Sequence, residues 1–236
     1  MPPFGPMYCE TPGLLSGSFP EEPWNAISSG VIVLYGLLAW GLTWRHAPRA
    51  VEFHALSLLL ALNGIGSVLW HGLRTGWALS LDVQPALIFL LLMALLWAFR
   101  VLPWFLALGL IAALIATPFL AWALMPAGQP ILVRGAPMLI GLLLAGGLLV
   151  WRTVGLSRGA AAFGALSLGS AIAALSFRSI DPMTCKLIPF GTHFLWHILL
   201  STAAFAGFLA LLHLKPGALK GAGLWPFAGR APAPAT

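Results

Sequence analysis

Seven apolar runs, each close to the length that crosses a lipid bilayer, dominate this chain of 236 residues. About 20 apolar residues in a helix span the hydrocarbon core, where a helix satisfies its own backbone polar groups. The runs cover residues 26–44, 54–72, 79–99, 102–124, 131–151, 160–177 and 190–213. Because 60% of the residues are hydrophobic and only 8% are charged, a soluble core cannot account for these runs. The sequence therefore predicts an all-α membrane protein with seven transmembrane helices.

Short connectors containing Gly, Pro and Arg separate the runs and leave no room for a second folded domain. We expect an outer N-terminal segment (1–25), a seven-helix transmembrane domain (26–214) and a cytoplasmic tail (215–236). The tail is rich in Pro, Gly and Ala, a composition typical of disorder.

The basic residues predict the orientation of the helices. The net charge is +6, but Lys and Arg are spread over the loops, which argues against nucleic acid as a partner. If the N-terminus lies outside and the C-terminus inside, the inner side of the membrane carries more Lys and Arg residues than the outer side, as the positive-inside rule requires. The inner residues are Arg45, Arg49, Arg100, Arg152, Arg158, Lys215, Lys220 and Arg230, and the outer ones are Arg74, Arg134, Arg178 and Lys186. We expect a multi-pass protein of a bacterial inner membrane, with no protein partner implied.

Three histidines and an aspartate fall at one depth of the membrane in this topology. His71 ends the second run, Asp82 lies in the first turns of the third helix, and His193 and His197 begin the seventh helix. Residues four apart share a helix face, so His193 and His197 can bind one ion. Insertion scales put the cost of an aspartate in a membrane helix at about 2.5–3.5 kcal/mol, so these groups call for a function. The pattern predicts a buried metal site towards the outer side.

Three neutral imidazoles and a water complete a tetrahedral zinc site with one open position, which is the arrangement of hydrolytic zinc. Asp82 could ligate the metal, orient a histidine or move the proton of the water. Ser67, one turn before His71, either donates to a developing oxyanion or bonds to a backbone carbonyl. A Ser67–His71–Asp82 triad also fits the spacing, but it leaves the other two histidines unexplained.

Five short motifs together resemble the alkaline ceramidases, which belong to the CREST group of seven-helix membrane hydrolases that includes the adiponectin-receptor-like proteins. They are YCE at 8–10, EPWNAISS at 22–29, GSVLWH at 66–71, Asp82 eleven residues after His71, and HFLWH at 193–197. The resemblance covers the whole chain. It implies that His71, His193 and His197 hold zinc and that Ser67 and Asp82 assist the activated water. The implied reaction is hydrolysis of the ceramide amide, on a lipid taken from the bilayer, to a sphingoid base and a fatty acid.

The N-terminal segment departs from this family at a second cation site. Eukaryotic members bind calcium there, and the resemblance assigns Glu10, Glu22 and the backbone of Tyr8 to it. Met7 stands where an aspartate is expected, and Thr11-Pro12 where an asparagine is expected. Calcium takes six to eight oxygen ligands, so the loss of two side-chain ligands predicts weak binding or none.

The sequence is also compatible with three alternatives. The glutamates of the N-terminal segment could be solvated, or they could pair with Arg74 or Lys186. The protein could be a receptor-like member of the CREST group in which zinc is structural. Paired histidines also ligate haem, so a haem-binding or proton-carrying membrane protein is a third alternative.

The two cysteines, Cys9 and Cys185, both lie outside in the predicted topology. An oxidising compartment permits a bond between them. The sequence therefore predicts a Cys9–Cys185 disulfide that ties the N-terminal segment to the connector before the seventh helix.

Overall fold

A computed structural model describes residues 5–11, 19–124 and 131–214. It contains seven helices and, within these residues, no strand. The helices are α1 (Pro23–His46), α2 (Val51–Leu73), α3 (Gly76–Val101), α4 (Trp104–Leu124), α5 (Ile131–Val154), α6 (Arg158–Thr184) and α7 (His193–Leu214). For the described residues, the predicted all-helical architecture is confirmed, whereas the predicted disordered tail and Pro12 lie outside them.

Five helices, α1, α2, α3, α6 and α7, are long and apolar enough to cross a membrane. In α4 and α5, the apolar stretches found within the described residues are shorter, Trp104–Thr117 and Leu139–Val154. The chain is therefore a membrane protein. Seven complete spans and the outward N-terminus stay predictions.

The helix α7 lies at the centre of the bundle. It packs against α6 and α1 and also touches α2 and α3. The helix α2 packs along α1 and α3, and α5 lies beside α4 and α6. Because α2 and α7 carry the three predicted histidine ligands, this arrangement decides whether those ligands can meet.

The two ends of the bundle differ in chemistry. Large apolar side chains near the start of α2 and the end of α7 are fully buried, namely Phe53, Leu56, Phe208, Leu211 and Leu212. The opposite end buries polar side chains from α1, α2 and α7, including Glu22, Asn25, Ser67 and His193. An apolar core therefore holds the helices together at one end and leaves the polar residues grouped at the other.

Small residues let α2 approach both of its neighbours closely. A Cβ at Gly64 would meet Val33 of α1, and one at Gly66 would meet the backbone of Leu81 in α3. Close approach at glycine is the usual way in which membrane helices gain packing contacts. Since Gly66 lies directly before Ser67, this crossing also places the polar end of α2 against α3.

The helix α6 continues beyond the apolar run that predicted it. The run ended at residue 177, but the helix extends to Thr184 and carries Arg178 and Asp181 on its last turns. Hydropathy detects only the apolar part of a helix, whereas the backbone continues through polar residues that find partners. The connector before α7 is therefore shorter than predicted, and α7 begins at His193.

Candidate metal centre

His71 of α2 and His193 and His197 of α7 converge at the polar end of the bundle. Each is at most 2% exposed, and the nitrogen atoms that they offer lie within 4.8 Å of one another. Their ring centroids are 4.6–5.3 Å apart. The structure thus brings together the three residues that the spacing predicted as ligands, and a metal ion could be held between them.

A carboxylate sets the orientation of His71. Nδ1 of this ring is hydrogen-bonded to Oε2 of Glu22. Because an ionised carboxylate only accepts, Nδ1 carries the proton and the lone pair lies on Nε2. Carboxylate partners of this kind fix the tautomer of metal-binding histidines and raise their basicity.

A serine sets the orientation of His197. Nδ1 of this ring lies 2.8 Å from Oγ of Ser28, and that hydroxyl donates to the carbonyl of Asn25 at 3.0 Å. Since the serine proton is used in that bond, Nδ1 of His197 donates to Ser28 and leaves its lone pair on Nε2.

His193 is held by stacking and by its backbone. Its ring lies 3.8 Å from that of Tyr8, with 20° between the planes. Nδ1 of His193 and Nε2 of His71 are buried and have no hydrogen-bond partner among the described residues. Buried polar atoms are normally satisfied, so two such nitrogens facing one cluster fit a metal ion. Tetrahedral zinc needs nitrogens roughly 3.4 Å apart, which small side-chain movements would achieve.

Glu22 is fully buried at the start of α1. Besides His71, its carboxylate accepts from the Thr11 hydroxyl at 2.7 Å and faces Nη1 of Arg74 at 3.3 Å. Burial raises the pKa of this carboxyl, and the nearby Arg74 opposes that shift. Of the alternatives considered for Glu22, pairing with Arg74 is therefore the one that the structure shows.

Glu10 caps the N-terminus of α1. Its two carboxylate oxygens accept from the backbone N–H groups of Trp24 and Asn25, each at 2.9 Å. Burial raises the pKa of the Glu10 carboxyl, although these two hydrogen bonds favour the charged form. The carbonyl of Tyr8 accepts from the backbone N–H of Thr11 at 3.0 Å. All three groups that the resemblance assigns to calcium thus accept hydrogen bonds from the chain itself.

Ser67 and Asp82 lie next to each other across the α2–α3 crossing. The backbone N of Asp82 lies against Gly66, directly before Ser67, and the Ser67 hydroxyl accepts from Oγ of Ser29 at 3.0 Å. The Asn63 amide donates to Oδ1 of Asp82 at 3.0 Å and to its carbonyl at 2.7 Å. Asp82 is outside the group of ligand atoms that lie within 4.8 Å of one another. These contacts favour Asp82 as a neighbour of the metal ligands and not as a ligand itself.

The predicted disulfide is present. Cys9 is bonded to Cys185, with 5.0 Å between the two Cα atoms. The bond fastens the N-terminal segment to the end of α6. Tyr8, next to Cys9, is thereby held against His193, so the segment covers the histidine cluster.

Sequence reasoning missed several residues that support the cluster. Oδ1 of Asp181 accepts from the backbone N–H groups of Thr192 and His193, at 2.6 and 2.9 Å, and Oδ2 accepts from that of Cys9 at 3.1 Å. The guanidinium of Arg178 lies 5.7 Å from the centroid of the Tyr8 ring. Asn25, Ser28 and Ser29 recur at helical spacing in an otherwise apolar run. This pattern could have predicted the polar face of α1.

No protein-family model and no curated protein matches the sequence. What the fold and site define is therefore a class, an all-helical membrane protein with a buried three-histidine cluster.

Proposed function

We propose that this protein is a zinc-dependent membrane amidase that hydrolyses the amide bond of ceramide or a related N-acyl lipid. The products are a fatty acid and an amine, which is a sphingoid base when ceramide is the substrate. The observation that carries the proposal is the convergence of three buried histidine nitrogens, two of them oriented by Glu22 and Ser28. We place the reaction on the outer side of a bacterial inner membrane, as the charge distribution predicts.

The donor set supports zinc. Neutral imidazole nitrogens with carboxylate and hydroxyl partners are the usual surroundings of a catalytic zinc ion, which keeps a fourth position open. Zinc bound by these residues would lower the pKa of a bound water and polarise the substrate carbonyl. Two histidines that ligate one haem lie on opposite faces of its flat ring, whereas His193 and His197 are four residues apart on one helix face.

Asp82 and Ser67 supply the other two functions that amide hydrolysis needs. The Asp82 carboxylate accepts the proton of the attacking water and passes it to the leaving amine nitrogen, so that one amide and one water give one acid and one amine. The Ser67 hydroxyl donates to the carbonyl oxygen, on which negative charge develops. Both residues lie at the α2–α3 crossing, where Gly66 approaches the backbone of Leu81 and Asp82.

The surroundings of the site suit a lipid substrate. Trp24 and Phe190 are 53% and 38% exposed, and their ring centroids are 5.2 Å apart near the polar end of the bundle. Aromatic side chains of this kind collect where a membrane meets water. A site at this level is within reach of an amide bond that lies just below a lipid headgroup.

The direct test combines metal analysis with product analysis. Purified protein in detergent is assayed for bound metals, and its products on a panel of ceramides and other N-acyl lipids are identified by mass spectrometry. His71→Ala, His193→Ala and His197→Ala should each lower bound zinc and hydrolysis together, because each removes a ligand. His54→Ala is the matched control, since His54 is at the other end of α2 and contacts the carbonyl of Pro48.

Four results would contradict the proposal in different ways. Wild-type zinc content in the histidine variants would exclude the metal assignment. Loss of zinc with unchanged hydrolysis would exclude a catalytic role for the metal. Full zinc content without release of fatty acid from any lipid would favour a receptor-like protein, and bound iron with a Soret band would favour haem.

A further inference from the structure

We propose that the guanidinium of Arg74 takes the place of a bound calcium ion in this protein. In this proposal, the positive charge of the Arg74 side chain holds the N-terminal segment on the bundle and positions Glu22 against His71. Arg74 is then a positioning residue for the metal centre. The proposal concerns stability and metal binding, so it does not depend on amide hydrolysis.

Arg74 contacts the N-terminal segment at several points. Its side chain is 5% exposed, and Nη2 donates to the carbonyl of Pro6 at 2.6 Å, while Nη1 is 3.3 Å from Oε1 of Glu22. The guanidinium carbon lies 5.6 Å from the Tyr8 ring centroid and 4.0 Å from that of Trp70. A planar guanidinium is suited to these contacts, because it donates in several directions and stacks on aromatic faces.

The oxygens around this guanidinium do not fit a calcium site. Besides Arg74, Glu22 has His71, Thr11 and Asn25 as hydrogen-bond donors, the last at 3.5 Å, which fills the lone-pair directions of a carboxylate. Both Glu10 oxygens accept from the first N–H groups of α1, where the positive end of the helix dipole opposes a cation. Calcium needs six to eight oxygens, and a divalent ion beside Glu22 would also be repelled by Arg74.

The backbone at Arg74 gives independent support. Arg74 follows the last residue of α2 with φ of 52° and ψ of 39°, in the left-handed region. Glycine is the usual residue there, because a side chain raises the energy of this conformation. A strained backbone at a non-glycine residue persists when its surroundings favour it, and it points to a role for the side chain. Arg74 thus keeps an unfavourable conformation that allows its guanidinium to reach Glu22 and Pro6.

The experiment uses the full-length, zinc-loaded protein in detergent and needs no substrate. The melting temperature is measured with and without excess calcium chloride, and zinc affinity is measured by competition with a chromophoric chelator. We expect calcium to leave the wild-type melting temperature unchanged. Arg74→Gly should lower it by roughly 5 °C or more, even though glycine relieves the backbone. The same variant should bind zinc about 10- to 100-fold more weakly, as expected for the loss of a group that orients a ligand.

Two further variants separate this role from a general need for an ion pair. Arg74→Lys keeps the positive charge and keeps a non-glycine residue in the left-handed backbone conformation. It should therefore recover part of the zinc affinity that Arg74→Gly loses. Arg100→Gln is the matched control, since Arg100 faces Glu52 at 3.3 Å and also donates to a backbone carbonyl, that of Leu211. It should leave zinc affinity unchanged.

Two outcomes would overturn the proposal. A clear rise of the wild-type melting temperature with calcium would mean that the segment binds the ion despite Arg74. Wild-type stability and zinc affinity in Arg74→Gly would mean that the guanidinium positions nothing. If Arg74→Gly does not fold, the calcium titration of the wild type and the zinc affinity of Arg74→Lys still decide. The zinc readout rests on the metal site of the proposed function, whereas the melting temperatures do not. Absence of lipid hydrolysis would leave all of these readouts unaffected, and absence of zinc binding would leave those of the melting temperature.

Discussion

Glu22 joins the N-terminal segment to the histidine cluster. Its carboxylate contacts His71 of α2, Thr11 of the segment and Arg74 at the end of α2. A buried carboxylate is costly unless its oxygens are fully paired. Here the pairing is complete, so a single residue links a metal-binding side chain to the part of the chain that covers it.

We predict that Glu22→Gln lowers zinc affinity about 10- to 100-fold, because a neutral amide accepts the Nδ1 proton of His71 more weakly than a carboxylate and can also present its NH2 group. Zinc affinity is measured by chelator competition. Glu52→Gln serves as the control, since Glu52 also faces an arginine but lies at the other end of α2. Equal zinc affinity in the wild type and Glu22→Gln would show that the carboxylate does not orient the ligand.

Asp82 and Ser67 are the residues whose replacement should separate chemistry from metal binding. Asp82→Asn keeps the shape but removes the base, so turnover should drop by roughly 10²- to 10⁴-fold while zinc is retained. Ser67→Ala should lower turnover by at most about 10²- to 10³-fold, since a bound metal also polarises the carbonyl. Rates and metal content are measured on the same samples. Loss of zinc in Asp82→Asn would instead identify Asp82 as a ligand.

Among the helices, α7 depends on a capping residue from another helix. Asp181 near the end of α6 accepts the backbone N–H groups of Thr192 and His193, where α7 begins. An Asp side chain at a helix N-terminus satisfies free donors and interacts favourably with the helix dipole. Since one of these donors belongs to a predicted zinc ligand, the cap also places His193.

We predict that Asp181→Asn lowers the free energy of unfolding by about 1–3 kcal/mol, because the amide leaves buried N–H donors unpaired. Zinc affinity should fall as well. Ser157→Ala is the matched control, since Ser157 caps α6 at the other end of the bundle by accepting from Ala160 at 3.2 Å. Ser157→Ala should lower the free energy of unfolding by about 1 kcal/mol and leave zinc affinity unchanged. Both quantities are measured in the same detergent, and equal zinc affinities in the two variants would contradict the positioning role of Asp181.

The α2–α3 crossing gives a second prediction for these elements. Gly66→Ala places a methyl group against the backbone of Leu81, so it should lower stability by about 1–3 kcal/mol. The control is Gly30→Ala in α1, where a Cβ meets nothing within 4 Å and alanine favours the helix. Thermal unfolding of both variants checks this. If they were equally stable, the close approach of α2 to α3 would be wrong.

At the scale of the whole molecule, the disulfide and Arg74 fasten the same segment at two points. Cys9–Cys185 holds it to the end of α6, while Arg74 holds it to the end of α2. The segment thus bridges the two sides of the histidine cluster. This explains how a stretch of the chain outside the helices can cover a centre formed by α2 and α7.

We predict that the disulfide is intact in freshly isolated protein and that Cys9→Ser lowers stability. Closing a loop with a sequence separation of 176 residues is worth up to about 5 kcal/mol in the chain-entropy model, and less where the unfolded helices stay in the membrane. Mass spectrometry of alkylated protein and thermal unfolding provide the measurements. Two free thiols in the isolated protein would contradict the bond and would also weaken the outward placement of the N-terminus.

The helices and the three histidines of the candidate metal centre could be predicted from the amino-acid sequence alone. Hydropathy and charge are local properties that can be read along the chain, so they predict helix number and relative depth. The spacing of His193 and His197 predicts a shared face for the same reason. Because both cysteines share a predicted side of the membrane, their pairing could also be predicted.

The partners that orient those histidines could not be predicted in this way, because they depend on how the helices pack. Glu22 and His71 are 49 residues apart, and their contact depends on how α1 and α2 are rotated and how closely they approach. Asp181 looked like part of a connector because a polar residue interrupts the hydropathy signal, yet it lies on α6 and caps α7. Such contacts depend on the packing of side chains between helices, and a one-dimensional pattern carries no information about helix rotation.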